Sequence, residues 1–134
     1  MFTETFAVRF YETDALQHVS NTALAGWFEA GRQPIFKMFV PDMNLTNWPL
    51  IIASYKIDFL AQIYLQHEVT IKTWVKRVGN SSFELHQECW QQEQVKSRGV
   101  TTMVHFDYDS ERSVAIPEHI KEALGKHLLD TSSM

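Results

Sequence analysis

The stretch Asn21-Thr-Ala-Leu-Ala-Gly-Trp-Phe-Glu-Ala-Gly-Arg-Gln-Pro-Ile35 decides the fold. Leu24, Phe28, Gly31 and Ile35 recur at helical spacing, and Ala23, Ala25, Trp27 and Ala30 cover most of the remaining circumference. Only Glu29, Arg32 and Gln33 are strongly polar. A helix that is apolar on nearly every side has to be enclosed by other elements. Pro34 lacks an N–H and crowds the preceding turn, so the helix is predicted to kink or restart there.

The flanks supply the enclosure. Residues 2–10 alternate, with Phe6, Val8 and Phe10 on one side and Thr5, Ala7 and Arg9 on the other, which predicts a half-buried strand. Asp42 to Pro49 reads as a loop. Residues 50–60 alternate again, with Ile51, Ala53, Tyr55, Ile57 and Phe59 opposing Ser54, Lys56 and Asp58. Over 67–77, Val69, Ile71 and Val75 oppose Glu68, Lys72 and Lys76; Gly79-Asn80 is turn material. Phe83, Leu85 and Cys89 then oppose Glu84, His86 and Glu88, and Val100, Val104 and Phe106 mark a last strand. Pro117 opens a short helix, and residues 128–134 are predicted to form a loose tail.

The order is strand, long buried helix, then four strands in succession. Residues 1–134 therefore read as one α+β domain, an antiparallel five-stranded sheet wrapped around a long central helix. Such a small sheet has open edges, and pairing them between subunits would cover them. A dimer or larger homo-oligomer is the physical expectation.

Ahead of the helix stands Tyr11-Glu-Thr-Asp-Ala-Leu-Gln-His-Val-Ser-Asn21. It places an acid, Asp14, in a loop just before a helix N-terminus. The unpaired N–H groups of that terminus can hold an oxyanion while the carboxylate attacks a carbonyl carbon or activates water against it. Asn21 reads as the helix cap, with its neighbouring N–H groups forming the oxyanion site. The rival use of Asp14 is to cap the helix or fix the loop.

Composition narrows the classes. The 134 residues are 45 % apolar, with 16 acidic against 12 basic side chains and a formal charge of -4. That argues against a general nucleic-acid binder. One cysteine permits no internal disulfide and points to a reducing, cytoplasmic setting. No apolar run approaches a membrane span, and no signal-peptide pattern opens the chain.

The motif residues resemble one family. Thr13-Asp14, then His18-Val19-Ser20-Asn21, then Phe28-Glu29-x-x-Arg32, with Tyr55-Lys56-Ile57-Asp58-Phe59 further on, look like the 4-hydroxybenzoyl-CoA thioesterase family of the hot-dog fold. The likeness spans roughly residues 4–110. It implies an acyl-CoA thioesterase with Asp14 as the catalytic carboxylate and a main-chain N–H near Asn21 polarising the thioester carbonyl. It implies a fatty or aromatic acyl-CoA substrate, no cofactor beyond that CoA, and a dimer or tetramer with the site at the subunit interface. Ser20 and Leu24 depart from the family's usual Asn and aromatic, beside the expected acyl pocket.

The other candidates each have two readings. Thr13 could orient Asp14 or bond nearby backbone, and His18 could contact the thioester, hold the acid or lock the loop. Glu29 and Arg32 stand i, i+3 and could pair or line a pocket. Leu24, Phe28 and Tyr55 are the expected acyl-pocket residues. Lys76, Arg77, Asn80, Ser81 and Ser82 form a basic, hydroxyl-rich turn; the resemblance makes it the candidate seat of the CoA nucleotide, against a plain solvated hairpin. Cys89 falls on an apolar strand face and reads as core, and no metal-ligand spacing is present. A hydratase or dehydratase acting on acyl thioesters, and a non-catalytic acyl-CoA-binding domain, are the rival functions.

Overall fold

A computed structural model describes residues 1–129. Its main sheet is antiparallel, with strand order β1-β3-β4-β5-β2. The strands are β1 (Phe2–Phe6), β2 (Leu50–Phe59), β3 (Val69–Val78), β4 (Ser82–Gln91) and β5 (Gln94–Asp107), and a two-residue β6 (Arg112–Ser113) pairs with β5. Three helices complete the fold: α1 (Asn21–Gly31), α2 (Gln33–Phe39) and α3 (Glu118–Gly125).

The long central helix of the sequence reading is two shorter ones. α1 has 11 residues and α2 has seven, and Arg32 (φ -85, ψ -7) joins them. Pro34 causes the break, since it sits in the first turn of α2, where a missing N–H costs nothing. α1 is also not wrapped on all sides. Leu24, Trp27, Phe28 and Gly31 face inward, while Ala25, Gly26 and Glu29 are exposed. Their side chains are small or charged, so leaving them open exposes little apolar area.

Bulges in β2 and β3 reverse the side-chain parity that plain alternation predicts. In β2 the register skips at Ala53, so Ile52 pairs with buried Met103 while Tyr55 pairs with buried Thr101. Leu50 and Ile52, not Ile51 and Ala53, therefore share a face with Tyr55, Ile57 and Phe59. In β3 the skip at Lys76 turns Arg77 to the outer face opposite Glu84 and Val78 to the inner face opposite Phe83. In β5 the face toward α1 is Ser97, Gly99, Thr101 and Met103, not the Val100 and Val104 that marked the strand.

The core falls into two clusters. Leu24, Trp27 and Phe28 of α1 pack with Val8, Val19, Ile63, Val69, Ile71 and Cys89. Ile35 of α2 packs with Val75, Phe83, Leu85, Met103 and the α3 residues Ile120 and Leu124. β1 ends at Phe6, short of the predicted residue 10, and Phe10 turns outward, 77 % exposed. The first two residues of the predicted tail are held in place: Leu129 donates its N–H to the Val75 carbonyl at 2.8 Å, so 128–129 lie against β3. The rest of that tail, residues 130–134, lies outside the described residues.

β2 ends the sheet with one edge unpaired among the described residues. It carries Ile52, Tyr55 and Phe59, exposed to 46 %, 40 % and 49 %. Such an edge, ten residues long, presents a row of backbone N–H and C=O groups with no strand partner among the described residues.

Candidate active site

The loop before α1 is a small closed hairpin. Asp14 N–H donates to the His18 carbonyl at 2.8 Å, and Thr13 and Val19 form an antiparallel bridge. Gln17 closes the tip, with its N–H on the Asp14 carbonyl at 3.0 Å and a left-handed φ of 64°. Asp14 is exposed, and its Oδ1 accepts from the main-chain N–H groups of Leu16 (2.8 Å) and His18 (3.2 Å). Its Oδ2 has no hydrogen-bond partner among the described residues. The loop thus holds one carboxylate oxygen and leaves the other free.

Asp14 lines a cleft of about 600 Å³ shared with Thr13, Ser20, Ala23, Gly26 and Trp27. That cleft reaches the first turn of α1. The cap there is Ser20, not Asn21: Ser20 Oγ accepts from Thr22 N–H at 3.4 Å. Ser20 has the extended backbone a cap needs, and Asn21 is already helical. The Asn21 N–H itself has no acceptor among the described residues. A second cleft of about 560 Å³ lies at the other end of α1, between Glu29, Arg32, Trp48, Leu50 and Tyr108. Gly26 and Ala30 wall both, so the small residues of α1 floor a groove running along its open side.

The remaining candidates separate. The Thr13 hydroxyl has no hydrogen bond to the Asp14 carboxylate among the described residues; it donates to the Phe10 carbonyl at 2.6 Å. His18 packs edge-on against Tyr64, ring centroids 5.3 Å apart, and its N–H is one of the two that hold Asp14. Leu24 and Phe28, expected at the acyl pocket, are 3 % and 0 % exposed in the core and line neither cleft, because α1 turns that stripe onto the sheet. Tyr55 stands over the Arg32 guanidinium at 5.7 Å. Glu29 and Arg32 form no salt bridge among the described residues; Arg32 Nη1 donates to Gln87 Oε1 at 3.1 Å instead. Burial pushes the Arg32 pKa down, against the opposing influence of Tyr55 and Glu29.

The basic turn lies at the far end of the sheet. Val69 packs beside the helix start, whereas Lys76 and Arg77 sit roughly 23–26 Å further along β3 at about 3.3 Å per residue. Arg77 is paired with Glu84 across the strands at 3.5 Å, while Lys76 is exposed. Ser81 and Ser82 are half-buried, their carbonyls taken by His105 and Gly79. The turn and Asp14 therefore do not meet within one chain. Cys89 is fully buried, and burial pushes its thiol up to about 12.

Glu12 is among the cleft residues that were not foreseen. Glu12 is buried beside Asp14 and bonded to the Trp27 indole.

The profile of the Thioesterase-like superfamily matches residues 8–124. The chain belongs to this superfamily. It is 36 % identical to a predicted thioesterase from Bacillus stearothermophilus, with a TM-score of 0.92 over 96 % of this chain and 97 % of that one. A thioesterase of Thermus thermophilus, whose structure holds coenzyme A and zinc, is 25 % identical with a TM-score of 0.81 over 92 % of this chain and 96 % of its own. The uncharacterized protein YsmA of Bacillus subtilis (strain 168) is 28 % identical over 92 % of this chain and 84 % of its own. These likenesses assign the hot-dog fold and support thioester hydrolysis in general terms. Among the described residues no three His, Cys, Asp or Glu side chains are grouped to hold a metal, and no helix is long and apolar enough to cross a membrane.

Proposed function

We propose that the protein hydrolyses the thioester of a fatty or aromatic acyl-CoA, in the manner of the 4-hydroxybenzoyl-CoA thioesterase family. The observation that carries this reading is that Asp14, whose Oδ2 has no hydrogen-bond partner among the described residues, lines a cleft that reaches the start of α1. The thioester carbonyl oxygen would take a main-chain N–H at the start of α1; that of Asn21, which does not itself line the cleft, has no acceptor among the described residues. Asp14 then works in one of two ways. As a nucleophile it bonds to the acyl carbon, the C–S bond breaks, CoA leaves as thiolate, and water splits the mixed anhydride. As a general base it takes a proton from water while the resulting hydroxide attacks and CoA leaves. Neither route needs a cofactor beyond the substrate's CoA.

The bare β2 edge supports a homodimer. Antiparallel pairing of two such edges would lay the Leu50 end of one protomer beside the Phe59 end of its partner. That arrangement carries the basic turn of one chain, with Lys76, Arg77, Ser81 and Ser82, toward the Asp14 end of the other. The CoA nucleotide would then be held by the partner's turn.

The test is CoA-thiol release across short, long and aromatic acyl-CoAs, run beside Asp14→Asn. Turnover that collapses in the variant supports the reading. Water addition to an enoyl-CoA, or tight binding with no release from any substrate, would replace it with a hydratase or a binding domain.

A further inference from the structure

Glu12 is the buried acid that the proposed chemistry does not use. It is 9 % exposed and stands in the wall of the cleft that holds Asp14. Both of its carboxylate oxygens are occupied. Oε1 accepts from the main-chain N–H of Arg9 at 2.8 Å, and Oε2 from the Trp27 indole N–H at 2.7 Å. The Arg9 guanidinium lies 3.8 Å from Oε2. The Glu12 main-chain carbonyl accepts from Ser20 N–H at 2.8 Å. A carboxylate so engaged has no oxygen to offer an acyl carbon. What Glu12 does instead is tie three segments together: the turn at Phe10–Glu12, the cap of α1 through Ser20, and the second turn of α1 through Trp27.

Asp14 follows two residues later, on a hairpin whose two arms leave from Glu12 and return to Ser20. The distance from Asp14 to the first N–H of α1 is therefore set at the base of this hairpin. We propose that Glu12 is the positioning residue of the site: it fixes where the Asp14 carboxylate stands relative to the start of α1. The inference rests on the Asp14 reading given above. Errors of about 1 Å in such placement cost on the order of 100-fold in rate, so a residue two positions away can control turnover without touching substrate.

Glutamine is an informative replacement here because it is not conservative. An amide has one acceptor oxygen and one donor nitrogen. With Oε1 on the Arg9 N–H, the amide nitrogen faces the indole N–H, donor against donor; the opposite flip creates the same conflict at Arg9. Trp27→Phe removes the indole donor and the conflict with it.

The experiment measures kcat, KM, thermal melting and amide hydrogen exchange for Glu12→Gln, Trp27→Phe and the double variant. Glu12→Gln is expected to lower kcat for CoA-thiol release by about 10–100-fold, with KM changed less than about 3-fold and a cooperative melt retained. The Leu16 and His18 amides, which hold Asp14, are expected to exchange faster. Trp27→Phe should act in the same direction and more weakly. The double variant should be no worse than Glu12→Gln alone, because both changes break one bond. Native kcat and native exchange in both single variants overturn the proposal. So does a kcat loss that matches the unfolded fraction, or a double variant showing the product of the two losses. If Glu12→Gln does not fold, the kcat and exchange of Trp27→Phe decide the matter. If the native protein releases no thiol, or Asp14→Asn keeps full turnover, the hydrolase reading fails, and the Leu16 and His18 exchange rates alone decide what Glu12 positions.

Discussion

Asp14 can be asked separately about structure and about chemistry. Its Oδ1 accepts two main-chain hydrogen bonds, and its Oδ2 accepts none among the described residues. Asp14→Asn keeps an acceptor oxygen where Oδ1 stands, so the Leu16 and His18 N–H groups remain satisfied. Only the charge and the free oxygen are lost. The expected stability change is less than about 1 kcal/mol. Asp14→Ala removes both bonds from an exposed loop, at about 1–2 kcal/mol and several degrees of melting temperature at this chain length.

Turnover follows a different order. Loss of the carboxylate as base or nucleophile costs about 100- to 10,000-fold, or about 3–5 kcal/mol of transition-state stabilisation. Asn and Ala should thus be equally inactive while differing in melting temperature. The assay is thiol release at saturating acyl-CoA together with a thermal melt of each variant. If Asp14 only fixes the loop, activity tracks stability: Asn retains it and Ala loses part of it. That outcome would refute the catalytic assignment.

Other substitutions test the groove and the core. A Cβ on Gly26 meets nothing within 4 Å; Gly26→Ala should leave the fold intact or stabilise it by up to about 1 kcal/mol, as read by thermal melting. Gly26→Leu should fill the groove and cut turnover of long acyl-CoAs more than short ones, as seen in kcat/KM. A Cβ on Gly31 would stand 2.8 Å from Ile71 Cγ2 and 3.0 Å from Gln87 Nε2. Gln87 is held by the Phe28 carbonyl at 2.8 Å and cannot retreat cheaply, so Gly31→Ala should cost about 1–3 kcal/mol in urea denaturation. Folded Cys89 keeps its proton up to a pKa of about 12, against 9.0 ordinarily. The unfolded chain releases it first, so this stabilising contribution is complete below pH 9.0 and is lost as pH rises toward 12. Denaturation from pH 8 upward, compared with Cys89→Ala, checks the sign.

Local patterns carried most of the fold. The five long strands and the break near Pro34 are legible because alternation and a missing N–H act within a few residues. The face of each strand was less legible. Ile51 and Ile52 are both apolar, so hydropathy cannot say which points inward, and one bulge residue at Ala53 settles it. A similar limit applies to Leu24 and Phe28, which line neither cleft. Counting Ala23, Ala25 and Ala30 as apolar made α1 look enclosed, yet Gly26 and Ala30 wall the open groove, while Leu24 and Phe28 fill the core. Glu12 read as one more polar loop residue because its partner, Trp27, lies 15 positions away.

The loop-fixing and catalytic readings of Asp14 were set against each other in sequence, but a carboxylate has two oxygens. A side chain free to rotate in a solvated loop would present its charge to a bound thioester only part of the time. Two N–H donors on Oδ1 remove that freedom and point Oδ2 in one direction. The ordering is done by the loop's own backbone, with Gln17 in the left-handed region to close the turn. A thioester already has a good leaving group, and the proposed mechanism asks of this loop only one oriented oxygen beside a main-chain donor. The fixing of Oδ1 is therefore the condition under which a lone acid on an exposed hairpin can act on a carbonyl at all.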